Sequence, residues 1–324
     1  MSDTSRRPAG VFAAAFLLLV GVTYGAWLTL PGFAGQVRNI SLALRPDDPS
    51  YYLAHDRGGH LDHHVLYHAL DAEAMARLKS AEVLFVGNSR LMFALRPEVL
   101  SPWAADHGIT YYAFGFGYRD GDAWALELIR KHDLRPRVVV VNVDGFFARP
   151  LSAGAQRVRR DTRFGARKLQ FEGELSHDAR RFVHRIIPNW LDLYGRPGFP
   201  SGNEFIAYRS RRDGAWDVSP WPAAAMPAPS VDFQVEAVGP RIGDAARAFK
   251  AELDARGSRM VLTYVPTPDD SGGNPAAIGA MLGVPVVALG VGGLTSHDGS
   301  HLSEESAVTW SRRLVEDLAP HLAP

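Results

Sequence analysis

The sequence predicts an α/β protein, a three-layer sandwich around a mostly parallel five-stranded sheet, preceded by one transmembrane helix. Three observations carry this. Short apolar runs rich in β-branched residues alternate with amphipathic helical stretches in both halves of the chain. Those runs are apolar enough for burial on both faces, as parallel strands require. Near the N-terminus, an uncharged apolar run of about 20 residues matches the ~30 Å hydrocarbon core of a bilayer.

Composition agrees with a large folded domain. Of 324 residues, 46% are hydrophobic and 22% charged, enough apolar material for a sizeable core. Basic and acidic residues number 35 each, so charge gives no reason to expect a nucleic-acid partner. There is no cysteine, which excludes disulfides, thiolate metal sites and a cysteine nucleophile.

Residues 1–37 form the cytoplasmic tip and the anchor. No charge occurs from Pro8 to Val37, and Val11 to Leu30 is almost continuously apolar. Arg6 and Arg7 precede the run, which keeps the N-terminus cytoplasmic and exports the rest. Tyr24 and Trp27 fall near its outer end, where aromatic rings favour the interface. A cleaved signal peptide is the competing reading. Its apolar region would be ~7–15 residues and end in a small-x-small site, whereas Pro31, Gly32 and Phe33 follow this longer run. The chain thus reads as a single-pass protein of the bacterial inner membrane with its C-terminal domain in the periplasm.

Residues 38–80 are a polar lead-in closing on a helix from Asp71 to Ser80, and the main domain runs over 81–320. EVLFVG is its first buried strand, with a helix after Ser89 that breaks near Pro97. TYYAF (110–114) is the second strand, DAWALELIRKH (122–132) an amphipathic helix and RVVVVNV (137–143) the third strand. After a helix at 241–256, RMVLTYV (259–265) is the fourth strand. A short helix at 274–282 leads to VPVVALG (284–290), the fifth. The last helix, Glu304 to Leu318, sets Ala307, Trp310, Leu314, Val315 and Leu318 on one face, with Ser303 as N-cap. Parallel strands joined by helices imply right-handed crossovers.

An insertion at about 150–235 interrupts this alternation. It holds a basic stretch (Arg157, Arg159, Arg160, Arg163, Arg167, Lys168) and a hairpin in which RRDG joins FIAYRS to AWDV. A Pro/Ala-rich link at 220–229 follows.

The chemistry-bearing residues lie at strand ends. Gly87-Asn88-Ser89 ends the first strand and begins a helix, and open parallel sheets bind ligands at the carboxyl ends of their strands. A serine there faces the cleft beside a helix N-terminus, where N–H groups and dipole favour an oxyanion. Serine needs a base. SHDGSHL (296–302) lies between the last strand and the last helix, at the same sheet edge. Asp298 and His301 are three residues apart, so one turn lets the carboxylate orient the imidazole that takes the Ser89 proton. The bland alternative makes Ser89 a helix cap and the Asp298/His301 segment a polar loop.

A Gly-x-Ser after the first strand and an Asp-x-x-His before the final helix resemble the SGNH (GDSL-like) hydrolase superfamily. The resemblance covers roughly 80–150 and 240–320, and it implies an SGNH/flavodoxin-like fold. It also implies that Ser89 is the nucleophile, Asp298 and His301 complete the triad, and Ser89, Gly115 (or Gly117) and Asn142 donate to the oxyanion. The chain departs from the family pattern twice. Asn88 stands where many relatives carry Asp, and Asn142-Val143-Asp144-Gly145 replaces Gly-x-Asn-Asp, so Asp144 competes with Asn142 for the donor position. With its anchor, the chain is similar to SGNH-like proteins that work with membrane-bound O-acyltransferases, such as the D-alanine transfer protein of teichoic acid synthesis and the alginate O-acetylation proteins. The resemblance implies an esterase or O-acyltransferase acting on acylated envelope polysaccharide, with no cofactor and no metal. An inactive SGNH-like domain that binds glycan or scaffolds the acyltransferase is the alternative. Trp190, Tyr194, Tyr208, Trp216 and Trp221 offer rings to stack on sugars, or else belong to the core.

Two further signals are set aside. GFGYRDG (115–121), with Asp144 ending the next strand, imitates a dinucleotide fingerprint but is one residue too long. His60, His64 and His68 recur every four residues with His63 beside them, a pattern open to zinc but without a placed acidic ligand, and read as a partly exposed face.

Overall fold

The computed structural model describes residues 15–23, 48, 50–56, 59–117, 120–186, 207–218, 226–227, 238–266 and 274–322. It divides into two units, Met1–Asp48 with Thr162–Gly202, and Pro49–Asp161 with Asn203–Pro324.

In the larger unit, β1 (Tyr51–Asp56) and β2 (Gly59–His60) lead into α1 (Leu61–Tyr67) and α2 (Ala72–Ser80). The alternating core follows as β3 (Val83–Asn88), α3 (Ser89–Ala94), α4 (Pro97–Asp106), β4 (Tyr111–Phe116), α5 (Asp122–His132) and β5 (Val138–Asn142). Then come α6 (Ala153–Arg160), the smaller unit's α7 (Arg163–Ile186), β6 (Ala207–Ser210), β7 (Trp216–Val218) and β8 (Met226–Pro227). The chain closes through α8 (Pro240–Ala255), β9 (Arg259–Thr263), α9 (Pro275–Leu282), β10 (Val286–Val287), β11 (Thr295–Ser296) and α10 (Glu304–Leu318).

Five strands make one parallel sheet in the order β10-β9-β5-β3-β4. Counted along the chain this is 2-1-3-4-5, the doubly wound order whose direction reverses between β3 and β5. Successive side chains of a strand point to opposite faces, so each strand feeds two cores. Val83, Phe85, Val138, Val140 and Val261 pack with Leu91, Trp103, Trp310, Leu314 and Leu318 of α3, α4 and α10. Leu84, Val86, Val139, Val141 and Leu262 pack with Leu78, Trp124, Leu128, Phe249 and Leu253 of α2, α5 and α8. That is the three-layer sandwich.

The local signals act where the sequence places them. Ser303 caps α10 by accepting the Ser306 N–H, and Pro97 opens α4 after α3 stops at Ala94. The fifth strand is shorter than its apolar run, because Ala288 takes φ 56° and turns the backbone out of the sheet.

The lead-in and the insertion are less separate than their composition suggests. The predicted hairpin forms as β6 and β7, and β6 also pairs with β1 of the lead-in, building an antiparallel sheet β2-β1-β6-β7. This hairpin closes the open edge of β4, an edge that would otherwise expose unpaired backbone. Ala113 N–H donates to Asp213 O at 2.7 Å. The buried Arg209 donates to Ala113 O at 2.7 Å and Gly115 O at 2.9 Å. Arg209 also holds Asp62 at 3.1 Å. His63, between Asp62 (2.9 Å) and Asp120 (2.6 Å), completes a buried charged row.

In the smaller unit, residues 15–23 are helical, and Phe16, Leu17, Leu18 and Leu19 are exposed. The rest of the apolar run at 11–30 lies outside the described residues. Among the described residues, no helix is long and apolar enough to cross a membrane. α7 is polar, with a Lys168–Glu172 pair at 3.7 Å and Gln170 donating to Glu174 at 3.2 Å.

Candidate active site

β3 and α3 deliver Ser89. Asn88 is the N-cap of α3, its side-chain oxygen accepting the Arg90 N–H at 2.9 Å, so Ser89 begins the helix at the end of β3. Gly87 is required one step earlier. A Cβ there would stand 2.8 Å from Leu91 Cδ2 and 3.1 Å from Asn142 Cβ, so a side chain would have to displace Leu91 from the contact between α3 and the sheet. Ser89 therefore sits where the strand order reverses, at the crevice such sheets use for ligands.

The loop between β11 and α10 brings the partners. Asp298 Oδ1 accepts the N–H of Ser300 at 2.8 Å and of His301 at 2.7 Å, with Gly299 at φ 81° making the turn. Ser296 Oγ closes the loop by donating to His301 O at 2.7 Å and accepting Gly299 N–H at 2.8 Å. His301 Nδ1–H then donates to Asp298 Oδ2 at 2.7 Å, and Ser89 Oγ–H donates to His301 Nε2 at 2.9 Å. The three residues make one hydrogen-bonded row.

Burial acts to raise the Asp298 pKa. The hydrogen bond and charge of His301, with the two backbone N–H groups, outweigh it and hold the carboxyl well below its usual range. It is a fixed anion that keeps the proton of His301 on Nδ1.

The Gly115 N–H is turned to another acceptor, whereas the Asn142 side-chain amide keeps its donor. Gly115 N–H points at Met92 Sδ, 3.2 Å away. Asn142 is fully buried with its Oδ1 accepting the Val265 N–H at 2.9 Å, and its Nδ2 has no partner of normal hydrogen-bond geometry. Asp144 occupies the place between the strands. Its Oδ1 accepts from Asn88 Nδ2 at 2.9 Å, and Arg90 NH1 lies 3.7 Å from Oδ2. Burial pushes its pKa up to about 7, against the pull of Arg90, Asn88, Arg149 and the nearby Asn142 amide.

Three neighbours of the row were not singled out in the sequence. Arg90 Nε donates to Ser300 Oγ at 3.2 Å, tying α3 to the Asp298–His301 loop. Phe93 packs its ring 4.3 Å from that of His301, and His297 stacks on His301 at 5.7 Å and 14°. Phe93 was legible in principle, because position i+4 shares a helix face with Ser89.

No family model matches the chain, and no curated protein matches it. Among solved structures, a GDSL-like lipase from Bacteroides thetaiotaomicron VPI-5482 is similar at 11% identity with a TM-score of 0.34. The likeness covers 81% of this chain and 98% of the lipase. A likeness so distant carries nothing about activity; the α/β assignment rests on strand order and register.

The other sequence candidates are dispersed. His64 donates to Asp161 at 2.8 Å and His68 to the Val158 carbonyl at 3.1 Å, while His63 lies in the buried charged row. They share no common focus; the side chain of His60 is outside the described residues. Of the aromatic candidates, Trp216 is buried against Phe93 at 6.3 Å and Tyr208 is half-buried in β6. Trp190, Tyr194 and Trp221 lie outside the described residues. In the glycine-rich 115–121 stretch, the first glycine is packed under Met92, where a Cβ would meet the thioether at 2.6 Å.

Proposed function

We propose that this protein is an SGNH-type serine esterase or O-acyltransferase that works through a covalent acyl-Ser89 intermediate. The observation that supports it is the row Ser89–His301–Asp298, with hydrogen bonds of 2.9 and 2.7 Å. His301 takes the Ser89 proton as Oγ attacks the acyl carbon, then returns it to the leaving alkoxide. A water or an acceptor hydroxyl repeats the sequence in reverse and frees the serine. Asp298 stabilises the imidazolium formed in between. The Ser89 N–H, in the first turn of α3, is the oxyanion donor this geometry favours.

The substrate in this proposal is an acyl ester, acetyl first, of an envelope polysaccharide. Its support is the apolar run after Arg6 and Arg7, which as an anchor would set the domain in the periplasm beside a membrane-bound O-acyltransferase. Leu151, Gln156, Arg159 and Arg160 line a surface depression of about 540 Å³ whose guanidinium groups suit an acidic glycan. A non-catalytic glycan-binding or scaffold domain is the second reading, favoured by the Gly115 N–H, which is directed to Met92 Sδ.

p-Nitrophenyl acetate separates the two. The wild-type protein should release one equivalent of p-nitrophenol in a burst and carry acetyl on Ser89, and Ser89→Ala and His301→Ala should do neither. A wild type without burst or adduct leaves only the binding reading.

A further inference from the structure

The row leaves one titratable neighbour unused. His297 lies four residues before His301, only 5% of its side chain exposed, with its ring nearly parallel to that of His301. Its Nδ1–H donates to the Leu302 carbonyl at 3.2 Å, and since a carbonyl only accepts, the neutral ring carries its lone pair on Nε2. That nitrogen lies 3.6 Å from Asp298 Oδ2, the same oxygen that His301 Nδ1 approaches at 2.7 Å. Two imidazole nitrogens and a carboxylate oxygen thus converge, all within 4.8 Å of one another.

We propose that His297 Nε2, Asp298 and His301 Nδ1 form a site for a divalent transition metal, with Zn²⁺ the fitting ion, and that its occupancy switches the Ser89 site off. Two imidazoles and one carboxylate are a zinc ligand set, and Ca²⁺ or Mg²⁺ would require oxygens. Zn–N and Zn–O bonds of ~2.0–2.1 Å in tetrahedral array set ligand atoms roughly 3.3–3.4 Å apart. The present separations bracket that spacing. The Asp298 side chain, 44% exposed, is the group able to shift and leaves an entry path for the ion, with water as fourth ligand. The Leu302 carbonyl fixes the tautomer of His297, as outer-shell acceptors do for metal-bound histidines. Phe93, 5.5 Å from the His297 ring and 4.3 Å from that of His301, braces both.

The off-switch rests on the proposed catalytic role of His301; the metal site does not. When the metal takes Nδ1, the single proton of the neutral ring moves to Nε2. There it donates to Ser89 Oγ, and no lone pair remains to accept the serine proton.

The test titrates ZnCl₂ into the full-length chain by calorimetry and follows acetylation by p-nitrophenyl acetate in parallel. Wild type and Ser89→Ala should bind Zn²⁺ alike at this site. His297→Phe and Asp298→Asn should bind at least about 100-fold more weakly, since changing an outer partner alone costs 10–100-fold. His297→Phe should still be acetylated, now without inhibition by Zn²⁺, while EDTA restores the zinc-treated wild type. Should the phenylalanine variant misfold by circular dichroism, His297→Gln replaces it. Unchanged zinc affinity in the folded His297 variant, or no zinc uptake by wild type, overturns the site. Zinc binding by Ser89→Ala with an unreactive wild type would instead uphold the site and end the catalytic reading.

Discussion

Asp298→Asn isolates the orienting role of the carboxylate with the least change in shape. The asparagine Oδ1 can keep the Ser300 and His301 N–H groups now held at 2.8 and 2.7 Å, so the turn persists. Its Nδ2 then faces His301 Nδ1, where Oδ2 now accepts at 2.7 Å. An NH₂ only donates, so His301 must accept at Nδ1 and carry its proton on Nε2. The ring would donate to Ser89 Oγ in place of accepting from it. In serine triads the wrong tautomer costs ~10⁴-fold in rate, and at ~1.36 kcal/mol per decade this is about 5.4 kcal/mol of barrier. The assay is the pre-steady-state acetylation rate with p-nitrophenyl acetate between pH 5 and 9. Because Asp298 is held far below its usual pKa, its charge imposes no step on the wild-type profile in that range. An Asp298→Asn rate within about tenfold of wild type would refute the orienting role.

Two buried groups give predictions about stability. Asp144 keeps its proton to about pH 7 when folded and only to about 4 when unfolded, so folding binds a proton between those values. The Asp144 contribution should therefore fall by roughly 3 kcal/mol as pH rises from 4 to 7, and Asp144→Asn should lack that part of the pH dependence. Urea unfolding at pH 4.5 and 7.5 measures the difference, and equal slopes in the two proteins would contradict it. His63 is opposite in sign to a buried lone histidine: burial lowers its pKa, but Asp62 and Asp120 raise it to about 9. Its contribution is complete below pH 6.5 and is lost as pH passes 9. His63→Gln leaves the buried Asp120 without the imidazolium it pairs with and Asp62 with Arg209 alone, and should cost about 3–5 kcal/mol at pH 7. A loss below 1 kcal/mol in chemical unfolding would mean the row is not charged.

The β-strands and helices were legible because their causes are local. A period of two or 3.6, a capping serine or a proline at a first turn acts over a few residues. Thus α5 spans the predicted 122–132, and Ser303 caps α10 as expected. Residue types and their place at strand ends were legible too, and that is why Ser89, Asp298 and His301 could be named before their contacts were seen.

The closure of the sheet and the condition of the site were not legible. β1 pairs with β6 more than 150 residues away, and Arg209 reaches the carbonyls of β4 from that same hairpin; no local pattern encodes either. The same holds for hydrogen-bonding capacity. Gly115 has the right chemistry at a matching strand position, yet its N–H is directed to Met92 Sδ, while Val265 N–H takes only the acceptor of Asn142 and leaves its Nδ2 without a partner. By itself, then, the sequence determined which strands make the parallel sheet and which helices join them, which side chains line one edge and that Ser89 begins a helix. Only the tertiary structure decided that Ser89 and His301, 212 residues apart, meet at 2.9 Å, and that Asp144, not Asn142, pairs with Asn88 beside them. The physical reason is that periodicity and caps are short-range preferences, whereas a donor is available or spent according to whatever the folded chain packs against it.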